Sequence, residues 1–84
     1  MYKFIFTKKS QKEFEKLNTL DQNKIKDKLL FFKKVDNIFD YIKPLNNLLP
    51  STHRIRISNY RLLVIINDYD IIVTKVWHRR DIYK

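Results

Sequence analysis

The fold is decided by residues 54–77, which read RIRISNYRLLVIINDYDIIVTKVW. Basic and aliphatic side chains alternate strictly at its start, the period-2 pattern of a strand with two different faces. Two further aliphatic runs follow, separated by the turn-forming residues Ser58 and Asn59 and then by Asn67 to Asp70. The stretch therefore predicts three antiparallel strands joined by tight turns, a β-meander.

Upstream of the meander, the pattern predicts one strand and two amphipathic helices. The strand covers residues 2–6, and Thr7 is a candidate helix N-cap, with Ser10 and Glu13 at capping-box spacing as a second. Asp21 can cap the next helix. Its apolar positions recur at helical spacing and are Ile25, Leu29, Phe32 and Val35. This predicts an α+β fold of order β-α-α-β-β-β, in which the helical hairpin packs on one face of a small antiparallel sheet.

The segment between the helices and the meander, residues 36–52, contains both prolines and predicts a long connection. Four of its apolar side chains are expected to reach the core: Ile38, Phe39, Ile42 and Leu45. The whole chain, residues 1–84, is short enough for one domain only.

The amino-acid composition limits the classes of partner, cofactor and site that this chain can have. Eighteen Lys and Arg against nine Asp and Glu give a net charge of +9, which favours nucleic acid, an anionic membrane or an acidic protein as partner. The absence of Cys excludes disulfides, thiolate metal sites and a cysteine nucleophile, and suits a cytoplasmic protein. The absence of Gly excludes phosphate-binding loops, so no nucleotide cofactor is expected. No apolar run approaches the ~20 residues of a membrane span, and the N-terminal apolar run is too short for a signal peptide.

All five arginines lie between positions 54 and 80. Arg54 and Arg56 share one sheet face, Arg61 begins the adjacent strand near them, and Arg79 with Arg80 closes the last strand. The planar guanidinium suits bidentate phosphate contact, so we expect a phosphate-binding face. The alternative is a set of unrelated surface arginines paired with three acidic residues, Asp68, Asp70 and Asp81.

Other candidate residues are few. Trp77 is expected to pack rather than to stack on a base, whereas Tyr83, in a polar tail beside arginines, suits stacking on an unpaired base. With only His53 and His78 and no Cys, a zinc site is not expected.

Residues 53–64, HRIRISNYRLLV, resemble the RelE/ParE superfamily of bacterial toxins, as do the ending VWHRRDIY at 76–83 and the tripeptide KPL at 43–45. The resemblance implies a RelE-like fold and a toxin of a type II toxin–antitoxin system. The RelE branch cleaves messenger RNA in the ribosomal decoding site, and the ParE branch poisons DNA gyrase. The basic strand and the Arg-Arg-x-x-Tyr ending are similar to the nuclease branch.

By motif position, the resemblance implies a role for each of seven residues. Arg61 and Arg79 stand at the phosphate-contacting positions, Tyr83 at the stacking tyrosine, and His78 beside them as the candidate for proton transfer. The RNA-binding candidates are Arg54, Arg56 and Arg80. Trp77 stands where many members have glycine.

The expected activity is therefore that of a metal-independent endoribonuclease without cofactor. Its expected partners are mRNA, the ribosome and an acidic antitoxin from an adjacent gene. Two alternatives stay open: a gyrase-inhibiting toxin, and a non-catalytic basic module that binds RNA or only its antitoxin.

Overall fold

A computed structural model describes residues 1–46 and 49–82 of the chain, the last two by their backbone alone. Two helices pack on one face of a five-stranded sheet. The elements, in chain order, are β1 (Lys3–Phe6), α1 (Lys8–Glu15), α2 (Thr19–Lys34), a single 3-10 turn (Ile38–Asp40), β2 (Lys43–Pro44), β3 (His53–Ile57), β4 (Tyr60–Asn67), β5 (Asp70–His78) and α3 (Arg79–Ile82). The predicted α+β architecture, with both helices on one side of the sheet, is confirmed.

Strands β3, β4 and β5 form the predicted antiparallel meander. Each connecting turn has its first residue in the left-handed region, Ser58 and Asp68, both at φ 54°. Aspartate tolerates this conformation, and in a chain without glycine the turns must use such residues.

The sheet is mixed rather than wholly antiparallel, with strand order β1-β5-β4-β3-β2. Strand β1 pairs in parallel with β5, with Phe4 opposite Ile71. The expectation of an antiparallel sheet rested on the tight turns of the meander. Because both helices and the whole meander separate β1 from β5, no tight turn forces these two strands to run in opposite directions.

The core lies between the helices and the sheet. One row of paired side chains, Ile55, Leu62 and Val76, faces the helices from β3, β4 and β5, and these side chains are buried. From the helices, Phe14, Ile25, Leu29 and Phe32 pack against the sheet side chains. Each side chain buried in this way contributes about 1.5–3 kcal/mol to folding.

Polar side chains attach the helices to the sheet. Thr7 caps α1 as predicted, accepting from the Ser10 amide at 3.1 Å. Ser10 does not form a cap; its buried hydroxyl donates to the Val73 carbonyl at 2.6 Å. Asn18, not Asp21, caps α2, and Asp21 instead accepts a 2.7 Å hydrogen bond from the Tyr60 hydroxyl.

The connection from 36 to 52 behaves in part as predicted. Ile38 and Ile42 are buried in the core, and Leu45 is half-buried. Phe39 is 53% exposed, so its predicted core position is wrong; the 3-10 turn directs its ring to a contact with His53 instead. The segment also contributes β2 at the sheet edge, where Pro44 can sit because one side of an edge strand needs no hydrogen bond. Among the described residues, no helix is long and apolar enough to cross a membrane.

Candidate functional site

Strand pairing gathers basic side chains on the sheet face opposite the helices, which we call the open face. Arg56 pairs with Arg61, and Arg61 pairs with Trp77, so these three form one row across β3, β4 and β5. The neighbouring row on the same face consists of Lys43, Arg54, Leu63 and Lys75. Since adjacent strands lie about 4.8 Å apart, the two rows bring five cations into one patch.

Four of these cations line a shallow groove with one aromatic side chain. This basic groove has a volume of about 150 Å³ and is lined by Tyr41, Lys43, Arg54, Arg56 and Arg61. The expectation that Arg54, Arg56 and Arg61 share one face agrees with this arrangement.

Electrostatics make the basic groove a site for an anion. Like charges directly opposite each other on a sheet are destabilising, and Arg56 pairs directly with Arg61. Among the described side chains, no carboxylate forms an ion pair with Lys43, Arg54 or Arg56. The groove therefore offers fixed positive charge to a ligand with several negative charges, such as the phosphates of a nucleic acid.

Arg79 and Arg80 lie at the start of α3, immediately after β5, and both are exposed. The Arg79 amide donates to the Asn59 carbonyl at 2.6 Å, which holds the start of α3 against the turn between β3 and β4. Arg80 lines a different cavity, on the helix side of the sheet. Arg80 therefore does not join the basic groove, and Arg79 is not among the side chains that line the groove either.

His78 lies on the opposite face of the sheet from Arg54, Arg56 and Arg61. It pairs with Tyr60, whose side chain belongs to the core, and the two ring centroids are 5.1 Å apart. Its Nδ1 accepts from the Arg80 amide at 3.1 Å. His78 directly precedes Arg79, but it lies across the sheet from Arg61, because successive strand residues point to opposite faces and Trp77 takes the open one.

The helix-side cavity that contains His78 is larger, about 520 Å³. Glu13, Lys16 and Tyr60 also line it. Glu13 is engaged with the sheet, accepting from the Val76 amide at 3.0 Å. Because the helix-side cavity combines acidic and basic side chains, it is less suited to binding a polyanion than the basic groove is.

Tyr83, the proposed stacking residue, lies outside the described residues. Two residues of the open face, Lys43 and Lys75, were not among the candidate site residues predicted from the sequence. The alternation of side chains along a strand could have identified Lys75, which lies two positions before Trp77 and therefore on the same face. Within the part of the chain whose side chains are described, no three His, Asp or Glu side chains come together as a metal site.

Trp77 is half-buried on the open face, beside the basic groove rather than in the main core. The Lys75 ammonium nitrogen lies 4.3 Å from the centre of its ring. The expectation that Trp77 packs is met only in part, since it belongs to the same face as the arginines.

Comparisons with known proteins agree with this architecture. Residues 4–83 match the family described as "ParE toxin of type II toxin-antitoxin system, parDE". Among solved structures, the chain resembles a chain of the intact RelBE toxin–antitoxin complex of E. coli, with 23% identity, a TM-score of 0.70, and 93% of this chain and 96% of that chain covered. A chain of the RelB–RelE complex of Methanococcus jannaschii matches at 23% identity and a TM-score of 0.70, with 94% of each chain covered.

A third match is a chain of the RelBE2 toxin–antitoxin complex of Mycobacterium tuberculosis, at 28% identity and a TM-score of 0.67, covering 93% of this chain and 98% of that chain. No curated protein matches significantly. The family match spans nearly the whole described chain, and the structural matches share its fold. The chain therefore belongs to the ParE toxin family, and it is a type II toxin of the RelE/ParE superfamily.

Proposed function

We propose that this toxin is an endoribonuclease that cleaves single-stranded mRNA on the ribosome and so inhibits translation. The observation that carries the proposal is the basic groove, in which Lys43, Arg54, Arg56 and Arg61 meet on a face not covered by the helices. The likeness to the toxin chains of RelE complexes supports the same reading.

The reaction is attack of a ribose 2′-hydroxyl oxygen on the adjacent phosphorus. The new P–O bond closes a 2′,3′-cyclic phosphate, and the bond to the 5′ oxygen of the next nucleotide breaks. Because the nucleophile belongs to the substrate, the protein has to supply only alignment and charge stabilisation. No metal is needed for these two tasks.

The arginines divide into two pairs with different tasks in this reaction. Arg61 and Arg79 hold the scissile phosphate and stabilise the extra negative charge of the transition state. Arg54 and Arg56 favour the ionised 2′-hydroxyl through their positive field. Tyr83 stacks on a base next to the cleaved bond.

Proton transfer does not involve His78 in this proposal, because that ring lies on the other face of the sheet. Arginine does not release its proton near neutral pH, so the groove cations are poor general bases. The 2′-hydroxyl proton passes to solvent, and the 5′ leaving oxygen takes a proton from water.

An acidic antitoxin is the proposed protein partner. A chain of charge +9 attracts an acidic segment, and α2 also exposes three large apolar side chains: Leu20, Leu30 and Phe31. Apolar contacts on α2 together with charge pairing would keep the complex partly intact at high salt.

The test is incubation of the purified toxin with translating ribosomes, followed by mapping of the RNA ends. The expected products carry 2′,3′-cyclic phosphate and 5′-hydroxyl ends. Arg56→Ala should reduce cleavage strongly. Lys12→Ala, which also removes one positive charge but at an exposed position of α1, should not reduce cleavage. Intact message under these conditions contradicts the proposal.

The family match favours one second function, inhibition of DNA gyrase, because it is to the ParE toxin family. In that case the basic groove would contact a protein or DNA rather than mRNA. A supercoiling assay with purified gyrase separates the two functions. Loss of supercoiling without RNA cleavage would replace the first proposal with the second. If the protein neither cleaves RNA nor inhibits supercoiling, the remaining interpretation is a non-catalytic basic module.

A further inference from the structure

A second depression lies on the open face, directly beside the basic groove. It has a volume of about 300 Å³, and its walls include Pro50, Ser51, Leu63, Thr74, Lys75 and Trp77. We call it the Trp77 pocket. It is within the size range of sites that hold small organic groups, and it combines apolar walls with a few polar atoms, as such sites do.

The Trp77 pocket and the basic groove share a border in the strand register. Arg61 of the groove lies opposite Trp77, and Arg54 of the groove lies opposite Leu63. Side chains directly opposite each other on antiparallel strands have Cβ atoms about 4.5–5.5 Å apart. A nucleic-acid chain with a phosphate at Arg61 therefore has an adjoining base within reach of Trp77.

Trp77 offers a ring suited to such a base. The Lys75 ammonium lies over that ring at 4.3 Å, but a cation over a partly exposed ring is held more weakly than a stacked base. When a base arrives, Lys75 can move to a neighbouring phosphate, because its long side chain is flexible.

The floor of the Trp77 pocket holds a pair of hydroxyl groups. Thr74 donates to the Leu63 carbonyl at 3.0 Å, so its proton is used within the sheet. The buried Ser51 hydroxyl lies 2.6 Å from the Thr74 oxygen and must therefore be the donor of that pair. The lone pairs that remain on Ser51 can accept from an exocyclic amino group, which cytosine, adenine and guanine carry.

We propose that the Trp77 pocket is a nucleobase subsite, in which Trp77 stacks on one unpaired, amino-bearing base adjacent to the phosphate held in the basic groove. The inference rests on the proposed function and deepens it, because it adds a base-reading element next to the groove. It also explains why a large aromatic side chain occupies a position on the cationic face.

The test uses fluorescence, because Trp77 is the only tryptophan of the chain. The probe is a 2′-O-methylated heptacytidine, which cannot be cleaved, compared with the same strand carrying one abasic position at a time. Binding of the intact strand should quench Trp77 emission, and the quench should disappear for at least one abasic strand. Anisotropy of an end label should show that this strand binds roughly 5- to 150-fold more weakly.

Variants sharpen the same measurement. Trp77→Leu should weaken binding of the intact strand by a similar factor, and Trp77→Phe should retain most of the affinity because it keeps a ring. Tyr69→Leu, which removes an exposed ring from the turn between β4 and β5, should leave binding of the strand unchanged. Because the abasic comparison uses the unaltered protein, the test stands even if Trp77→Leu fails to fold.

Tight binding with unchanged Trp77 emission for every strand overturns the subsite alone and leaves the groove intact. No binding of the strand at all overturns both the subsite and the RNA-binding groove. Failure of the proposed function by itself would appear differently, as intact message in the ribosome assay despite a quenched Trp77.

Discussion

Strands β3, β4 and β5 supply both faces of the central sheet, because successive residues along each strand point to opposite faces. The row of Ile55, Leu62 and Val76 faces the helices and is buried, whereas the adjacent row of Arg56, Arg61 and Trp77 faces outward. The first row has apolar partners on every side. The second sets the positive charges of Arg56 and Arg61 directly opposite each other, an arrangement that is unfavourable for folding by itself. The face that a strand residue points to therefore separates residues that stabilise the fold from residues proposed to act on RNA. Substitutions on the helix side should mainly reduce stability, and substitutions on the open face should mainly reduce activity.

The largest expected effect on folding is that of Ile55→Ala on the covered face. Ile55 is 0% exposed, so the change removes buried methyl groups and leaves a cavity, which costs about 2–5 kcal/mol of unfolding free energy. Ile5→Ala is the matched control on the open face, where the side chain is 37% exposed and the cost should be about 1.5 kcal/mol or less. Denaturant titrations followed by circular dichroism compare the two. Equal losses would refute the division of the sheet into a structural and a functional face.

A smaller effect is expected for Ser10→Ala. The Ser10 hydroxyl connects α1 to β5 through its 2.6 Å hydrogen bond to the Val73 carbonyl. That carbonyl also accepts from the Thr7 amide at 3.2 Å, so it keeps one partner, and the loss should be about 1 kcal/mol. Gln11→Ala, at an exposed position of the same helix, should change stability by less than about 0.5 kcal/mol. If both variants melt like the unaltered protein, the Ser10 hydroxyl does not contribute to holding α1 on the sheet.

The smallest expected effect is that of His78→Ala on cleavage. Because the ring lies on the helix side and contacts Tyr60, its removal should leave the cleavage rate on ribosomes within about twofold. Stability should fall modestly as the ring contact is lost. A large loss of cleavage with unchanged stability would mean that His78 takes part in proton transfer after all.

Sequence reasoning succeeded where local patterns determine structure. The alternation from Arg54 to Ile57 and the two short turns predicted the meander, and helical spacing predicted both helices. It failed where structure depends on distant partners. The parallel pairing of β1 with β5 has no local pattern, and the outward position of Phe39 depends on a 3-10 turn within a long connection.

The candidate site was predicted in the same uneven way. Arg54, Arg56 and Arg61 were assigned correctly to one face, because they begin two strands joined by a two-residue turn. The sequence did not assign His78 to a face of the sheet, and the pairing of β4 with β5 places it beside Tyr60 on the helix side. Lys75 and Lys43 were missed because the function of a lysine depends on its neighbours in space, which composition does not reveal.

The most direct test of the account is Arg61→Ala, measured for both cleavage and folding. Arg61 lines the basic groove, where it is proposed to hold the scissile phosphate, and it does not belong to the core. We predict that ribosome-dependent cleavage falls by roughly two to three orders of magnitude, while the variant stays folded and its unfolding free energy falls by about 0.5–3 kcal/mol, since Arg61 also has an interaction partner within the protein. Cleavage that persists at the rate of the unaltered protein in a folded Arg61→Ala variant would contradict the central claim that the open face carries the activity.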